Sequence, residues 1–552
     1  MDKIIVIGGL SAGPSAAAKA RRENEKAEIL LFEKGENISY ATCGIPYALS
    51  EVIEKREDLI VVEPQLLRDR FKIDVRLEEK IIKIDPTLKK VFSTKGEYSY
   101  DKLVFASGAS SIIPPIKGIS QANNWSPCRS LNDFDKLKET LSNPEIKNIT
   151  VLGAGLIGLE VAENLIEIGK NVTVIEGADQ ILTLWDKKFA EFGSEILKSS
   201  GIKIITSTFV NEFGVENKKI NKVFIDENNT IDTDFVVMSV GIKPRTELLT
   251  SIGAEHLSNG ALKVNEFMET SLKDIYSAGD NTSIKNTITK KHDYFPLGTH
   301  SNKGGRAIGL NSTGSQSKFE GAYGTAIIKL FDYTLARTGM NKNSLEKHNI
   351  DYKSVVTIAG STPGYYPDQK DLISEIFYKP DTLEILGGEF FGEVGVDKRV
   401  DVLSTAIFAK LKITDLSKID FAYAPPYSPA KDPLVVASFT AENIEKDKCN
   451  QLSMEDFEEF IKSNNIDSYS LIDVREKWEF DEGHIKGAMN LPLDELRENL
   501  DKIDKNKPII IYCQRGLRGY LARLILHQNG FERTSSLAGG YIFYSMCNPI
   551  KN

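Results

Sequence analysis

The chain has 552 residues, 41% of them hydrophobic and 27% charged, a mixture typical of a globular protein with several domains. Its formal net charge is -9 and it has no long basic run, which argues against a nucleic-acid partner. The five cysteines are odd in number and form no CxxC pair, so neither a disulfide framework nor a metal site is expected.

The same sequence indicates the compartment. Residues 1–9 read directly as a strand entering a glycine turn and lack the pattern of a signal peptide. No apolar run reaches the length that spans a membrane. We therefore predict a cytoplasmic protein with no membrane partner.

The N-terminal segment has the pattern of a dinucleotide-binding unit. An apolar strand at 3–7 precedes a glycine turn, a helical stretch follows to Arg22, and a second strand at 28–32 ends at Glu33. The turn and helix N-terminus are suited to a pyrophosphate, and the acid is suited to a ribose hydroxyl. The fingerprint is incomplete, because Leu10 replaces its middle glycine. The predicted contacts come from Gly8, Gly9, Gly13 and Glu33.

A second unit has the complete fingerprint. A strand at 149–152 is followed by a turn with three glycines, a helix at 161–168 and a strand at 171–175. The strand ends at Glu176, an acid at the position where a 2′-phosphate would lie. Repulsion between like charges then favours NADH over NADPH. The predicted cofactor contacts are Gly153, Gly155, Gly158 and Glu176.

Two further strands are expected to join the first unit. One spans 100–108 and ends at Gly108, and the other spans 274–280 and ends at Asp280. Small residues at strand ends suit close packing on a long cofactor, and Asp280 could accept a hydrogen bond from a ribityl chain. The alternative is that Asp280 only initiates a turn.

A stretch at 39–47 carries the first cysteine, Cys43, shortly after the first nucleotide-binding unit. The cysteine stands where a helix is expected to begin, and N–H groups at a helix N-terminus favour the thiolate. The next cysteine, Cys128, lies 85 residues further on, so the stretch holds no self-contained redox pair. We predict that Cys43 acts alone and forms a mixed species with an external sulfur. The alternative is a buried cysteine without chemistry.

These features together resemble the FAD- and NAD(P)-dependent disulfide reductase family over residues 1 to about 440. Within that family, the single cysteine in Ser39-x-x-x-Cys43-Gly44 is similar to coenzyme A disulfide reductase, NADH peroxidase and NADH oxidase. The peroxidase and oxidase carry a histidine in the first glycine turn, where this chain has Leu10. The resemblance therefore favours the coenzyme A branch and implies FAD, NAD(P)H and coenzyme A.

Residues 320–440 resemble the interface domain of the same branch. The stretch 324–339 is similar to its start, and two segments resemble its tyrosine motifs, Tyr365-Tyr366-Pro367 and Tyr423-Ala424-Pro425-Pro426-Tyr427. The resemblance implies a homodimer in which two tyrosines of one subunit approach the catalytic sulfur of the other. A phenol can donate a proton to a leaving thiolate. Tyr365 and Tyr423 match best, with Tyr366 as an alternative, and the competing interpretation is inert interface packing.

Coenzyme A carries phosphates, so its site should be basic. Lys19 and Arg22 lie three residues apart, on one face of the first helix. Ordinary solvated side chains are the competing explanation for this pair. By resemblance the coenzyme A site would draw on seven residues, namely Ser15, Lys19, Arg22, Ser39, Thr42, Asn302 and Lys431.

The C-terminal hundred residues have a different pattern. A strand at 508–512 runs into Cys513, with Arg515 and Arg518 close behind it, and a helix is expected from Gly519. Loop N–H groups and the two arginines would form a cradle that stabilises a thiolate or persulfide. Four motifs resemble a single-domain rhodanese, a sulfurtransferase: LIDVRE at 471–476, EGHIKGAMN at 482–490, CQRGLR at 513–518 and LAGGY at 537–541.

Three polar residues and three cysteines are not expected to take part in catalysis. In the rhodanese-like segment, three residues are expected to be scaffold: Asp473, Arg475 and His484. The other three cysteines match no motif and are expected to be structural: Cys128, Cys449 and Cys547.

The predicted fold class is α/β, with two Rossmann-like domains, an α+β dimerisation domain and a C-terminal α/β rhodanese domain. The boundaries are 1–115 and 245–318 for FAD, 116–244 for NAD(H), 319–435 for dimerisation, 436–452 for a charged linker and 453–552 for rhodanese. The predicted function is reduction of coenzyme A disulfide, coenzyme A persulfide or polysulfide by NAD(P)H at Cys43, coupled to sulfur transfer at Cys513. The alternatives are an NADH oxidase or peroxidase that cycles through a cysteine sulfenic acid, and a flavin redox sensor without turnover.

Overall fold

The computed structural model describes residues 2–548, which form two compact units. The first unit extends to residue 182 and includes 197–323, and the second consists of 183–196 and the chain from 324 onward. Among the described residues, no helix is long and apolar enough to cross a membrane.

The first unit contains a five-stranded parallel sheet centred on the N-terminal strand. Alternate side chains of that strand enter two cores, with Ile4 and Val6 on one face and Ile5 and Ile7 on the other. Both faces are buried, as expected of a parallel sheet. The two strands predicted to join this unit lie on one side of the N-terminal strand: Lys102–Phe105 pairs with it, and Ile275–Ser277 pairs with Lys102–Phe105. The order is Ile275–Ser277, Lys102–Phe105, Lys3–Ile7, Glu28–Phe32 and Asp74–Arg76.

A second five-stranded parallel sheet in the same unit confirms the second strand–turn–helix–strand pattern. Its central strand leads through the glycine turn into the helix Leu156–Glu167, whose inward face is buried. The two sheets therefore repeat one supersecondary motif. The order of the second sheet is Lys203–Ile205, Asn171–Ile175, Asn148–Leu152, Phe235–Met238 and Trp125–Pro127.

Smaller elements complete the first unit. Its short strands are Ile81–Asp85, Lys90–Ser93, Glu97–Ser99, Ala109–Ser111, Phe213–Glu216, Lys219–Phe224, Thr230–Asp232, Ile242–Pro244, Leu262–Lys263, Thr282–Lys285 and His292–Asp293. Its α-helices are Ala12–Glu23, Ile45–Leu49, Pro64–Phe71, Leu131–Leu141, Leu156–Glu167, Glu247–Thr250 and Gly298–Asn311. Short 3-10 helices lie at Thr42–Gly44, Arg56–Leu59 and Ile119–Gln121.

The second unit contains an antiparallel sheet followed by a parallel one. The antiparallel order is Ala326–Leu330, Tyr333–Gly339, Ile385–Gly392, Asp371–Tyr378 and Lys353–Gly360. The parallel order is Gln451–Leu452, Thr534–Leu537, Ile509–Tyr512, Ser470–Asp473 and Met489–Asn490. The fully buried strand Ile509–Tyr512 is central in the parallel sheet, which places the residue after it, Cys513, at the carboxyl edge.

Helices surround both sheets of the second unit. The α-helices are Lys187–Ser199, which begins in the 183–196 segment, Lys342–Lys347, Val396–Phe408, Pro433–Glu445, Met454–Ser463, Lys477–Glu482, Leu517–Gln528 and Gly540–Cys547. The 3-10 helices are Ile413–Lys418, Ile466–Ser468 and Leu493–Lys502. The helix after Cys513 begins at Leu517, two residues before the predicted start.

The linker predicted at 436–452 is wrong for most of its length. The helix Pro433–Glu445 occupies it, with Pro433 in its first turn and Asp432 accepting a hydrogen bond from the Leu434 N–H at 3.1 Å. Leu434, Ala437 and Ala441 are each fully buried. Their spacing of three and four residues is a helical stripe, and the charged residues at its end obscured that pattern.

The segment 183–196 also departs from the prediction, which placed it in the NAD(H)-binding domain at 116–244. It packs within the second unit. Phe192 contacts Phe391 at 5.4 Å and Phe543 at 5.5 Å between ring centroids. Lys188 and Glu375 form a buried ion pair at 2.7 Å. Aromatic packing and this ion pair therefore decide where the segment lies.

Candidate functional sites

The first glycine turn forms a cradle that only glycine permits. Gly8 has φ +104°, and a Cβ built on it would lie 2.1 Å from the Ala106 carbonyl oxygen. A Cβ on Gly13 would lie 1.9 Å from the Gly8 carbonyl oxygen. Strand, turn and helix therefore approach one another closely and leave backbone N–H groups at the turn. This arrangement fits the pyrophosphate of a dinucleotide such as FAD.

Glu33 lies at the end of the second strand, as predicted, and borders a cavity of about 430 Å³ together with Gly8, Lys34 and Arg245. Its carboxylate accepts hydrogen bonds from the N–H groups of Gly9 and Gly35, each at 2.9 Å. Lys34 and Arg245 supply positive charge, and burial lowers the pKa of both. Sequence reasoning missed these two cations, because neither belongs to the glycine fingerprint.

Asp280 lies after the strand Ile275–Ser277, beside Gly279 with φ +96°. Its Oδ2 accepts a bond from Arg129 Nη2 at 2.6 Å, and both side chains are largely buried. The predicted strand-end residue Gly108 has φ +65° and donates its N–H to Asn281 Oδ1 at 3.3 Å. The sequence contained no signal for Arg129, which lies 151 residues from Asp280.

The second glycine turn repeats the first. A Cβ on Gly153 would lie 2.3 Å from the Ser239 carbonyl oxygen, and one on Gly158 would lie 2.0 Å from the Gly153 oxygen. Gly155 faces open space. Glu176 accepts hydrogen bonds from the N–H groups of Ala154 at 2.7 Å and Ala178 at 2.9 Å. Glu33 and Glu176 thus hold equivalent positions in the two units.

Cys43 lies within the 3-10 turn Thr42–Gly44, directly before a helix of only five residues, Ile45–Leu49. The side chain is exposed, yet desolvation by its surroundings raises the pKa of its thiol. A hydrogen bond with Thr42 lowers the pKa, whereas Glu160 and Asp280 raise it further. Burial and the two acids therefore oppose the ionisation of Cys43 in the protein without ligand, and stabilisation of its thiolate by the helix N-terminus stays a prediction.

Glu160 is a candidate functional residue that sequence reasoning missed. It projects from the helix Leu156–Glu167, and Tyr47 donates its hydroxyl to Glu160 Oε1 at 3.5 Å. Burial raises the pKa of Glu160 to about 7 and that of Tyr47 to about 12. A signal was available, since Glu160 stands two residues after the last glycine of the second fingerprint.

Some residues predicted to bind coenzyme A are brought together. The helices Ala12–Glu23 and Gly298–Asn311 pack closely, and a Cβ on Gly309 would lie 2.6 Å from the Ala16 carbonyl oxygen. The contact places Ser15 Oγ 2.9 Å from Asn302 Oδ1. Lys19 pairs with Glu23 one turn along the first helix.

The other predicted coenzyme A residues lie in different settings. Arg22 is exposed and its Nε donates to the Ala18 carbonyl at 3.1 Å. Ser39 is buried with φ +44°, and its backbone binds Gly9 and Val61. Lys431 is exposed and belongs to the second unit. The coenzyme A site remains a prediction for all seven residues.

Tyr365 and Tyr423 form a pair on the surface of the second unit. They are 73% and 51% exposed, and their hydroxyl oxygens lie 2.9 Å apart. This hydrogen bond raises the pKa of Tyr365. Two exposed phenols held together are available to a ligand, unlike tyrosines packed in a core.

Cys513 has the surroundings predicted for a sulfur-carrying cysteine. It is only 2% exposed, and its Sγ accepts a hydrogen bond from the Gly516 N–H at 3.1 Å. Gly516 has φ +131°, a conformation that favours glycine. The helix Leu517–Gln528 begins at the next residue. One loop N–H therefore donates to the sulfur, and the full cradle of loop N–H groups stays a prediction.

The charge predicted for that cradle is partly offset. Arg518 forms two hydrogen bonds with Glu479, at 2.6 and 2.7 Å, and Arg515 pairs with Asp371 at 3.1 Å. Both arginines therefore have acidic partners, and the charge that they add at Cys513 stays a prediction. Glu479 lies 39 residues from Arg518, and no motif revealed the pairing.

Beneath the loop, Asp473 and Arg475 form a buried ion pair at 2.7 Å, with exposed fractions of 0% and 2%. Arg475 also donates to Gln514 Oε1 and to the Gly483 carbonyl, and its guanidinium lies 4.1 Å from the Tyr541 ring centroid. These contacts agree with the scaffold role predicted for both residues.

Comparisons with known proteins identify the architecture. The family model described as pyridine nucleotide-disulphide oxidoreductase matches residues 2–293, its dimerisation domain matches 325–433, and a rhodanese-like domain matches 453–544. The chain belongs to the pyridine nucleotide-disulphide oxidoreductase family. Members of this family use FAD and NAD(P)H, and the glycine cradles described above fit both dinucleotides. The predicted fold class is confirmed.

Two curated relatives resemble most of the chain. An NADH oxidase of Enterococcus faecalis is 31% identical over 433 residues, covering 77% of this chain and 96% of that protein. A coenzyme A disulfide reductase of Staphylococcus aureus is 30% identical over 448 residues, covering 80% of this chain and 100% of that protein.

Two solved structures resemble nearly the whole chain. Reduced Bacillus anthracis CoADR-RHD has a TM-score of 0.95 at 34% identity, covering 99% of this chain and 98% of that one. A NAD-dependent persulfide reductase from A. fulgidus has a TM-score of 0.91 at 33% identity, covering 98% of this chain and 100% of that one.

Proposed function

We propose that this protein uses NADH to reduce coenzyme A disulfide, coenzyme A persulfide or polysulfide at Cys43, and transfers sulfane sulfur at Cys513. The observation that carries this proposal is the presence in one chain of an exposed single cysteine beside a dinucleotide fold and a second cysteine in a thiolate cradle. The names of the reductase relatives and the rhodanese-like match support both halves.

FAD is proposed to bind at the first glycine turn, Glu33 and Asp280. The positive charges of Lys34 and Arg245 would attract its phosphates. When bound, the flavin supplies two-electron exchange between a nicotinamide and a sulfur. The second turn and Glu176 are proposed to hold NADH. A carboxylate at Glu176 disfavours a 2′-phosphate, so kcat/KM should be higher with NADH than with NADPH, and Glu176→Gln should narrow the difference.

At Cys43 the thiolate attacks the sulfur–sulfur bond of a coenzyme A disulfide. A Cys43–coenzyme A mixed disulfide forms and one thiolate leaves. Two electrons that originate in NADH then cleave the mixed disulfide, releasing coenzyme A and restoring Cys43. Glu160, with a pKa of about 7, is suited to exchange the proton of the Cys43 thiol.

The match to a dimerisation domain supports a homodimer. Tyr365 and Tyr423 are proposed to serve Cys43 of the partner subunit by donating a hydrogen bond to the departing thiolate. Coenzyme A is proposed to bind along the first helix and the Cys43 turn. The proposed contacts are Ser15, Lys19, Arg22, Ser39, Thr42, Asn302 and Lys431.

In the C-terminal domain, the Cys513 thiolate takes a sulfane sulfur from a donor and becomes a persulfide. A polysulfide donor leaves shortened by one sulfur and a thiosulfate donor leaves as sulfite, and the outer sulfur then passes to the thiolate of coenzyme A. The resulting coenzyme A persulfide is a substrate for Cys43, so two half-reactions share one carrier. The unpaired state of all five cysteines supports a reducing cytoplasm as the location.

Anaerobic NADH oxidation, followed with coenzyme A disulfide or coenzyme A persulfide, tests the proposal. Turnover that Cys43→Ser removes and Cys449→Ser retains supports it, because Cys449 is buried near Ser536 and outside both sites. Absence of turnover with every sulfur substrate would overturn it.

An NADH oxidase is the second candidate, favoured by the Enterococcus faecalis relative. NADH-dependent oxygen consumption without a sulfur substrate, faster than sulfur reduction, would support that function. A flavin sensor would show neither reaction under the same conditions.

A further inference from the structure

Phe209 is an exposed aromatic residue in the first unit whose position suits a ligand. It is 74% exposed, and the other large apolar residues exposed in this unit are aliphatic, within its described part. Phe209 lies in the loop after Lys203–Ile205, the strand beside Asn171–Ile175. An exposed aromatic ring at the carboxyl edge of a dinucleotide-binding sheet is a candidate contact for a ligand.

Backbone hydrogen bonds fix the loop that carries this ring. The Ser207 N–H donates to the Ala178 carbonyl at 2.7 Å, and the Thr208 N–H donates to the Glu176 carbonyl at 3.0 Å. Ser207 has φ +54°, which turns the chain two residues before Phe209. The ring is therefore attached to the same residues that present the Glu176 carboxylate.

Gly177 allows the ring to lie there. A Cβ built on Gly177 would be 2.5 Å from Phe209 Cε1 and 2.8 Å from Cζ. Any side chain at position 177 would push the ring away. A glycine and a phenylalanine 32 residues apart thus form one feature next to the acid.

The chemistry of the nucleotide indicates what the ring contacts. The acid at the end of this strand binds the adenosine ribose of a nicotinamide dinucleotide, and adenine is attached to that ribose. The base must therefore lie within a few ångströms of the backbone at 176–178. An aromatic ring stacks on any nucleobase, and the apolar surface buried by stacking contributes to affinity.

We propose that Phe209, positioned by Gly177, stacks on the adenine of NADH and is a specificity-determining residue for the adenosine half of the cofactor. This inference rests on the proposed use of NADH at the second glycine turn. It concerns binding only, so Phe209→Ala should change the KM for NADH and leave kcat unaltered.

The test compares NADH with reduced nicotinamide mononucleotide, which lacks the adenosine half. Flavin bleaching in the anaerobic holoenzyme is followed by stopped-flow absorbance, a readout that requires no sulfur substrate. In this half-reaction Phe209→Ala should raise the apparent Kd for NADH about ten-fold and leave the mononucleotide reaction unchanged. Phe209→Tyr should stay within about two-fold of the wild type, because the tyrosine ring also stacks on adenine.

Gly177→Ala provides an independent variant, because it displaces the ring without removing it. It should reproduce the Phe209→Ala effect, and the double variant should be no worse than either single one. Leu88→Ala is the matched control, since Leu88 is 63% exposed and belongs to the turn before the strand Lys90–Ser93.

A direct binding measurement completes the test. Calorimetric titration with ADP-ribose should show about ten-fold weaker binding to Phe209→Ala than to the wild type. Unchanged ADP-ribose affinity, or equal loss with NADH and the mononucleotide, would overturn the adenine contact. Failure of NADH to bleach the wild-type flavin would instead overturn the proposed function, so the two failures are distinguishable.

Discussion

Cys43 and Cys513 were both predicted to have a stabilised thiolate, Cys43 by a helix N-terminus and Cys513 by loop N–H groups and two arginines, and their surroundings differ. Cys513 is buried, its sulfur accepts the Gly516 N–H, and a helix of 12 residues follows. Cys43 is exposed and precedes a helix of five residues, and desolvation, with Glu160 and Asp280, raises the pKa of its thiol.

The difference teaches that a position before a helix does not by itself fix the groups that surround a sulfur. At Cys513 a loop N–H donates to the sulfur, whereas at Cys43 desolvation and nearby carboxylates raise the pKa of the thiol. A sulfurtransferase needs a thiolate stabilised in the free protein. A single redox cysteine can instead be protonated at rest and activated by an adjacent group and its substrate.

The largest expected effect separates the two cysteines. Cys43→Ser should abolish NADH-dependent reduction of coenzyme A disulfide, because serine cannot form the mixed disulfide. Cys513→Ser should keep that reduction and abolish transfer of sulfur from thiosulfate or polysulfide to a thiol. Both rates are measured on the same purified proteins, with Cys449→Ser as the control. If either variant retains both activities, the assignment of one reaction to each cysteine is wrong.

Next in size is the buried ion pair beneath the Cys513 loop. Arg475→Ala leaves the Asp473 carboxylate buried without its partner and should destabilise the C-terminal domain by about 3 kcal/mol. Urea unfolding measures this loss, and sulfur transfer should decline in parallel while reduction at Cys43 persists. Lys477→Ala removes an exposed pair with Asp481 and should change stability by less than about 0.5 kcal/mol. Equal stability of the two variants would contradict the scaffold role.

A moderate effect is expected at the tyrosine pair. Tyr365→Phe combined with Tyr423→Phe should slow reduction at Cys43 about 100-fold, a size within the range for proton donors, and should leave sulfur transfer unchanged. Mixing this double variant with Cys43→Ser subunits should restore part of the activity, because one mixed dimer site is intact. If subunit exchange is shown by mass spectrometry and activity stays absent, the two-subunit site is wrong.

The smallest effect concerns the pKa of Cys43. Glu160→Gln removes a carboxylate that raises this pKa, so the thiolate should appear at lower pH. Alkylation by iodoacetamide, followed from pH 6 to 10, should be a few-fold faster in the variant at neutral pH. The rates should converge at high pH, where the thiolate predominates in both proteins. Cys513 in the same samples is the internal control, and a shift there as well would argue for a general change in structure.

The sequence by itself determined the features encoded by neighbouring residues. The two glycine turns lie where they were predicted, each followed by a helix and a strand with Glu33 or Glu176 at its end. Cys513 lies between a strand and a helix as predicted, although the helix begins two residues early. Each depends on backbone geometry within a short segment, where glycine alone tolerates the close contacts and positive φ angles.

Only the tertiary structure decided the charge around each site. Arg129 reaches Asp280 across 151 residues, Glu479 reaches Arg518 across 39, and Glu160 approaches Cys43 from another helix. The same holds for the helix at 433–445, which buried contacts stabilise where a linker was expected. Local conformation follows from adjacent residues, whereas the pKa of a group is the sum of burial and fields from groups that folding brings together.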